Sequence, residues 1–206
     1  MVDARDYQVK RIKNFEDGFL NEVLRVMKRI GKYLDKFDGL PLIGDEENFG
    51  QKRSSGNFSF HGAMFDKQLR GFFMTASKVK KSNPSKDNIV YVEKVDHSSR
   101  IIHLAGIGKP SRGLFIHHQI YKDFPEIKVI IHTHDNKILE LKNIPITKSV
   151  FVGASMKHAK EVVDLLKLSG RTYINLRSHG QLAISTTVDD VLKQAKKYNL
   201  EAQRKQ

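Results

Sequence analysis

Cysteine is absent from all 206 residues, so disulfides, thiolate metal sites and thiol nucleophiles are excluded together, and any metal must be held by histidine and carboxylate. Long apolar runs are missing too: nothing approaches the ~20 residues that span a bilayer. The opening stretch MVDARDYQVKRIKNFED alternates charges where a signal peptide would need an apolar segment. The expected location is the cytosol. Acidic residues are in deficit, 23 against 36 Lys plus Arg, and the resulting net charge of +13 favours anionic partners such as phosphorylated metabolites or nucleic acid. The basic residues are dispersed, with short clusters at 78–81 and 193–197, and neither an aromatic-interleaved RNA-binding signature nor a Cys/His finger accompanies them. A solvated basic surface is the preferred reading, and a nucleic-acid partner rests on charge alone.

What is present suits one folded core. Hydrophobic residues make up 39% of the chain and include 12 Phe, unlike the polar composition of disordered sequences. Residues 1–206 are expected to form a single domain, with 1–14 and 201–206 as frayed ends.

Between Phe15 and Phe37 the residues Phe19, Val23, Met27, Ile30 and Leu34 recur at helical spacing, and Gly39 and Pro41 should end that helix. A Gly- and Ser-rich loop follows. Strand-like runs lie at Phe58–Phe60, Gly71–Met74, Ile89–Val95 and Arg100–Leu104, the last two joined by a hairpin at Asp96–Ser99. A helix should begin after Pro110-Ser111 and stop at Pro125; the β-branched run Val129–His132 reads as a buried strand. Another strand is expected near Ser149–Val152, then a helix capped by Ser155 and stopped by Gly170. Strands Thr172–Leu176 and Leu182–Ser185 flank Ser178-His179-Gly180, and a final helix runs from Thr187 to about Leu200. The sum is a largely antiparallel sheet covered by helices.

His132-Thr-His134 stands at the end of the buried strand, where residues two apart share a face, so both imidazoles point the same way. His179 lies just past another strand and before Gly180, which permits close backbone approach. Three His ligands leave an open coordination position, the arrangement of a catalytic zinc or other divalent metal. A His-x-His pair also arises simply as two hydrogen-bonded, half-buried rings. Upstream, Arg53–Ser59, Met74–Ser77 and Lys109–Arg112 are hydroxyl-rich or basic clusters of the kind that holds an oxyanion.

In this order the motifs resemble the class II aldolase/adducin family, which includes fuculose-phosphate aldolases, ribulose-phosphate epimerases and related dehydratases. A Ser-Ser-Gly-Asn segment, a Thr-x-Ser segment, a Pro-Ser segment, the His-x-His pair and a final His-Gly occur in family order from about Ser54 to Thr187. The resemblance implies a three-layer α/β/α fold around a mostly antiparallel sheet. It also implies substrate-phosphate binding by Ser54, Gly56, Asn57, Ser77 and Ser111, metal binding by His132, His134 and His179, and a homotetramer with sites between subunits. Lys78 stands where the family often has glycine and Arg112 where it has a small hydroxyl residue, so these two would make the phosphate pocket more basic.

One departure bears on mechanism. The family's Pro-Ser segment is followed by an acid that handles metal or proton, and Gly113 occupies that position here. His117, one helical turn on, is the candidate substitute for the missing carboxylate, although a packed histidine would look the same in sequence. The implied function is a metal-dependent aldolase-type lyase, or related epimerase or dehydratase, acting on a phosphorylated sugar through a metal-stabilised enediolate. The alternative is a non-catalytic, adducin-like or sugar-phosphate-binding protein.

Overall fold

Strands that are apolar on both faces need cover on both sides, and the helices supply it. The computed structural model describes residues 6–12, 14–36, 42–43, 53–150 and 155–205, apart from the side chains of 42–43 and 53–54. The strands are β1 (Gln8–Arg11), β2 (Leu42–Ile43), β3 (Arg53–Ser54), β4 (Asn57–His61), β5 (Phe72–Thr75), β6 (Ile89–Asp96), β7 (Ile101–Ala105), β8 (Val129–Thr133), β9 (Tyr173–Leu176) and β10 (Gly180–Ser185). The helices are α1 (Asp17–Asp35), α2 (Leu114–Asp123), α3 (Met156–Ser169) and α4 (Val188–Arg204).

Eight strands form one sheet in the order β1-β7-β6-β5-β4-β8-β10-β9, antiparallel throughout except for the β1–β7 edge pair. Helices α2 and α3 cover one face and α1 and α4 the other, giving the expected three-layer α/β/α arrangement. Strict alternation sorts the side chains. In β4 and β8, Phe58, Phe60, Val129 and Ile131 pack beneath α1 and α4, while Ile130 packs beneath α2 and α3. Among the described residues no helix is long and apolar enough to cross a membrane.

Four expectations need correction. Residues 8–11, placed in a frayed end, form β1, pairing Gln8 with Ile101 through Arg11 with Leu104. All four of its residues are exposed, so the strand carries no apolar alternation; backbone pairing and the Arg11 guanidinium on the carbonyls of Gly106, Ile107 and Gly108 hold it. At the other end α4 continues to Arg204 because its buried stripe extends through Asn199 to Ala202. Within the expected loop, β2 and β3 pair with each other; Gly39, Pro41 and residues 44–52 lie outside the described residues. No strand forms at 149–150, where the Ser149 amide instead donates to the Glu161 carboxylate at 2.9 Å; Phe151 and Val152 lie outside the described residues.

Candidate metal centre

β8 is central in the sheet and delivers His132 to the α2/α3 side, with Asn57 of β4 as its cross-strand partner. The His132 Nδ1–H donates to the buried carbonyl of Gln181 at 2.8 Å. A carbonyl can only accept, so this bond fixes the tautomer and leaves Nε2 as the ring's unprotonated, ligand-capable nitrogen. His134 brings its Nε2 to 2.9 Å from that of His132.

His179 reaches the pair because β10 comes unusually close to β8: a Cβ on Gly180 would sit 2.1 Å from the Thr133 carbonyl oxygen. Only glycine fits there. The three rings then lie 4.5–5.0 Å apart by centroid, and one ligand nitrogen from each falls within 4.8 Å of the others. Ligand nitrogens about 2 Å from one zinc are separated by roughly 3.3 Å in a tetrahedral site, so small ring movements would close them on an ion. A hydrogen-bonded pair alone would have no use for the third ring.

The electrostatics favour neutral, ligand-competent imidazoles. Burial, reinforced by repulsion from His134 and His179, holds His132 well below the ordinary histidine range. Burial, then His179 and Lys81, pushes His134 down to about 4, while burial and the nearby His158 lower His179. His158 was not singled out from the sequence, and the buried Lys81 only as a member of the 78–81 basic cluster; only the fold brings α3 and the 78–82 loop to this end of the sheet.

Of the expected oxyanion residues, Asn57 and Ser111 lie beside His132 on this face. Ser55 and Asn57 are buried, and Ser55 Oγ and Asn57 Oδ1 have no hydrogen-bond partner. Gly56 takes a left-handed φ of 66°. Ser77 donates its amide to the Lys109 carbonyl at 2.8 Å, which ties the Thr-x-Ser segment to the Pro-Ser segment. Ser111 is buried, its Oγ accepting from the Gly113 amide at 3.4 Å. A Cβ at Gly113 would lie 3.1 Å from the Asn57 amide, so Ser111, Gly113, Asn57 and His132 form a contiguous series. Lys78 and Arg112 are exposed. Ser54 falls in β3, and its side chain is outside the described ones.

His117 lies outside the three-histidine cluster, yet close enough to His132 for their charges to oppose each other. It is fully buried, bonded through Nδ1 to Ser59 Oγ at 2.6 Å, and Ser59 in turn meets Tyr121 Oη at 2.9 Å. Its Nε2 is unpartnered, and burial pushes its pKa down to about 3. Ser59, the last residue of the Arg53–Ser59 cluster, is the hydroxyl residue between two Phe of β4, on the same face as Asn57.

Residues 50–140 match the sequence profile of the Class II Aldolase and Adducin N-terminal domain. No curated protein matches the chain. Among solved structures, L-fuculose-1-phosphate aldolase from Thermus thermophilus is similar over 91% of this chain and 93% of its own, with a TM-score of 0.64 at 14% identity. A sugar-phosphate aldolase from Thermotoga maritima covers 89% and 93% with a TM-score of 0.69, also at 14% identity. The N-terminal class II aldolase domain of a conserved protein from Thermoplasma acidophilum covers 94% and 96% with a TM-score of 0.56 at 18% identity. A matching profile over residues 50–140 and a fold shared with class II aldolase structures over about nine-tenths of the chain agree with the motif order.

Proposed function

We propose that the protein is a metal-dependent lyase of the aldolase type acting on a phosphorylated sugar, with His132, His134 and His179 as the ligands. The convergence of these three imidazoles beside buried, unpaired polar atoms carries the reading. A divalent cation held there, zinc by preference of an all-nitrogen site, would supply Lewis-acid polarisation of neighbouring substrate oxygens. The remaining work falls to the chain's own groups. Ser77, Ser111, Asn57 and the backbone around Gly56 would receive the phosphate, and the amino end of α2 just beyond Ser111 adds a favourable field for an anion. Exposed Lys78 and Arg112 would draw the anion toward the pocket.

No carboxylate at position 113 can move the substrate proton. We assign that role to His117. With its pKa near 3 it is neutral at pH 7, and in the tautomer whose Nδ1–H donates to Ser59 Oγ its unpaired Nε2 is the proton acceptor. The reading extends to a homotetramer, as the family resemblance implies, and to a cytosolic location. Gly113 favours a second reading, a sugar-phosphate binder without turnover, because its backbone at φ −67° needs no glycine and the acid is simply not there.

Metal analysis of the purified protein followed by a retro-aldol assay on a panel of ketose and aldose phosphates separates the two. A lyase gives stoichiometric metal and turnover, and His117→Ala then lowers turnover by roughly 10²–10⁴-fold with metal content intact. Stoichiometric metal without turnover on any substrate establishes the binder instead. Metal-free protein defeats the lyase reading.

A further inference from the structure

Gln181, in β10, is fully buried on the α1/α4 side of the sheet, under the turn that carries two of the three imidazoles. Every hydrogen bond its side chain makes goes to that turn. Its Oε1 accepts from the Thr133 hydroxyl at 3.1 Å and from the Asp135 amide at 2.9 Å, and its Nε2 donates to the Asp135 carbonyl at 2.7 Å. Two donors at one end and a carbonyl at the other leave only one orientation for the amide. The backbone carbonyl of the same residue takes the His132 Nδ1–H. Residue 135 is then closed off by its own carboxylate, which accepts from the Lys137 amide at 2.9 Å and from Asn199 Nδ2 of α4 at 2.8 Å.

We propose that Gln181 is a positioning residue that preorganises His132 and His134 to receive a metal ion; the inference rests on the metal-centre reading above. An apolar residue at 181 would leave the Thr133 hydroxyl and both backbone groups of Asp135 buried without partners. They would find new partners only by twisting the chain between the two histidines, and the imidazole nitrogens would no longer converge. Loss of such outer-shell support typically weakens metal binding 10–100-fold.

The test is titration of the metal-free protein with Co²⁺ and with Zn²⁺ against a competing chelator. Gln181→Met keeps the length and removes the polar atoms; it is expected to bind both ions 10–100-fold more weakly, with an altered Co²⁺ visible absorption spectrum. Thr133→Val removes one of the three side-chain bonds and should weaken binding in the same direction by less. Thr187→Ala, which strips the N-cap of α4, lowers thermal stability but should leave affinity and spectrum unchanged, separating positioning from general destabilisation. If the wild type binds metal and Gln181→Met binds it equally well, Gln181 has no positioning role while the metal centre stands. Should that variant fail to fold, unchanged affinity in Thr133→Val overturns the positioning role in the same way. A wild type that binds neither ion overturns the metal-centre reading and this inference with it.

Discussion

The two faces of the sheet are built from the same strands yet are lined differently. Beneath α1 and α4 the alternation collects aromatic rings: Phe73 alone meets Phe15, Phe19, Phe65 and Tyr91 at centroid distances of 4.7–5.8 Å. Beneath α2 and α3 the corresponding positions of β4 and β8 are Asn57, Ser59 and His132, opposed by His117 and Tyr121. Tyr173 Oη and Asn175 Oδ1 also go unpaired on the aromatic side, Tyr173 sharing a small cavity with Thr133 and Asp135. On the other side Asn57 Oδ1 and His117 Nε2 gather next to three imidazoles. Each buried unpaired polar atom costs about 1–3 kcal/mol. Both faces carry an apolar core, and the α2/α3 face in addition spends part of that stability on unpaired groups set beside the three imidazoles.

The largest expected effect comes from breaking the aromatic face. Phe73→Ala removes a fully buried ring at the centre of the aromatic cluster and should cost about 3–5 kcal/mol in chemical denaturation. Because the cavity opens away from the histidines, the folded fraction should bind Zn²⁺ with wild-type affinity. A large fall in metal affinity per folded molecule would mean that the two faces are not separable.

That partition was partly legible in the sequence. The period of Val23, Met27, Ile30 and Leu34, the β-branched run before His132 and the Ser155 and Gly170 boundaries of α3 are local signals, and they marked real elements. The convergence of the three histidines rested on two local features, the His-x-His parity and a glycine after His179. What stayed illegible depends on distant partners. β1 has no apolar alternation because it is an exposed edge strand held by its backbone. The Gln181 network joins residues 46 or more positions apart, and a glutamine in a strand announces nothing until its neighbours are known. His158 reaches His179 only through the packing of α3.

A middle-sized effect should distinguish the faces by pH. His117 is buried neutral in the folded protein with a pKa of about 3, against 6.5 for an exposed histidine. Its folded value is depressed, so the unfolded chain binds the proton more tightly; its contribution is complete above pH 6.5 and is lost as the pH falls toward 3. At about 1.4 kcal/mol per pH unit, moving metal-free protein from pH 6.5 to 5 should cost about 2 kcal/mol through this residue. His117→Gln should recover that much of the wild-type acid sensitivity, the rest remaining with His118 and the three clustered histidines. An identical pH dependence in the two proteins would show that His117 is not held neutral by burial, and would weaken its assignment as proton acceptor.

The smallest effect probes strain on the site's own loop. Ser178, immediately before His179, has a φ of 56°, a left-handed conformation that costs a residue with a Cβ roughly 1–2 kcal/mol. Its side chain is exposed, so the cost is not offset by burial. Ser178→Gly removes the steric cost but gives back about 0.5–1 kcal/mol through the greater freedom of glycine in the unfolded chain. The net expectation is a stabilisation of about 0.5–1 kcal/mol, read as a small rise in Tm. Relief at this turn should not improve metal binding, because the serine conformation already aims His179 at its partners and a freer turn can only loosen that aim. A protein that is both more stable and a slightly weaker binder would place the strain among the features that serve the site. If Ser178→Gly is destabilised instead, the turn is not strained, and the contrast between a relaxed aromatic face and a tense ligand face loses one of its supports.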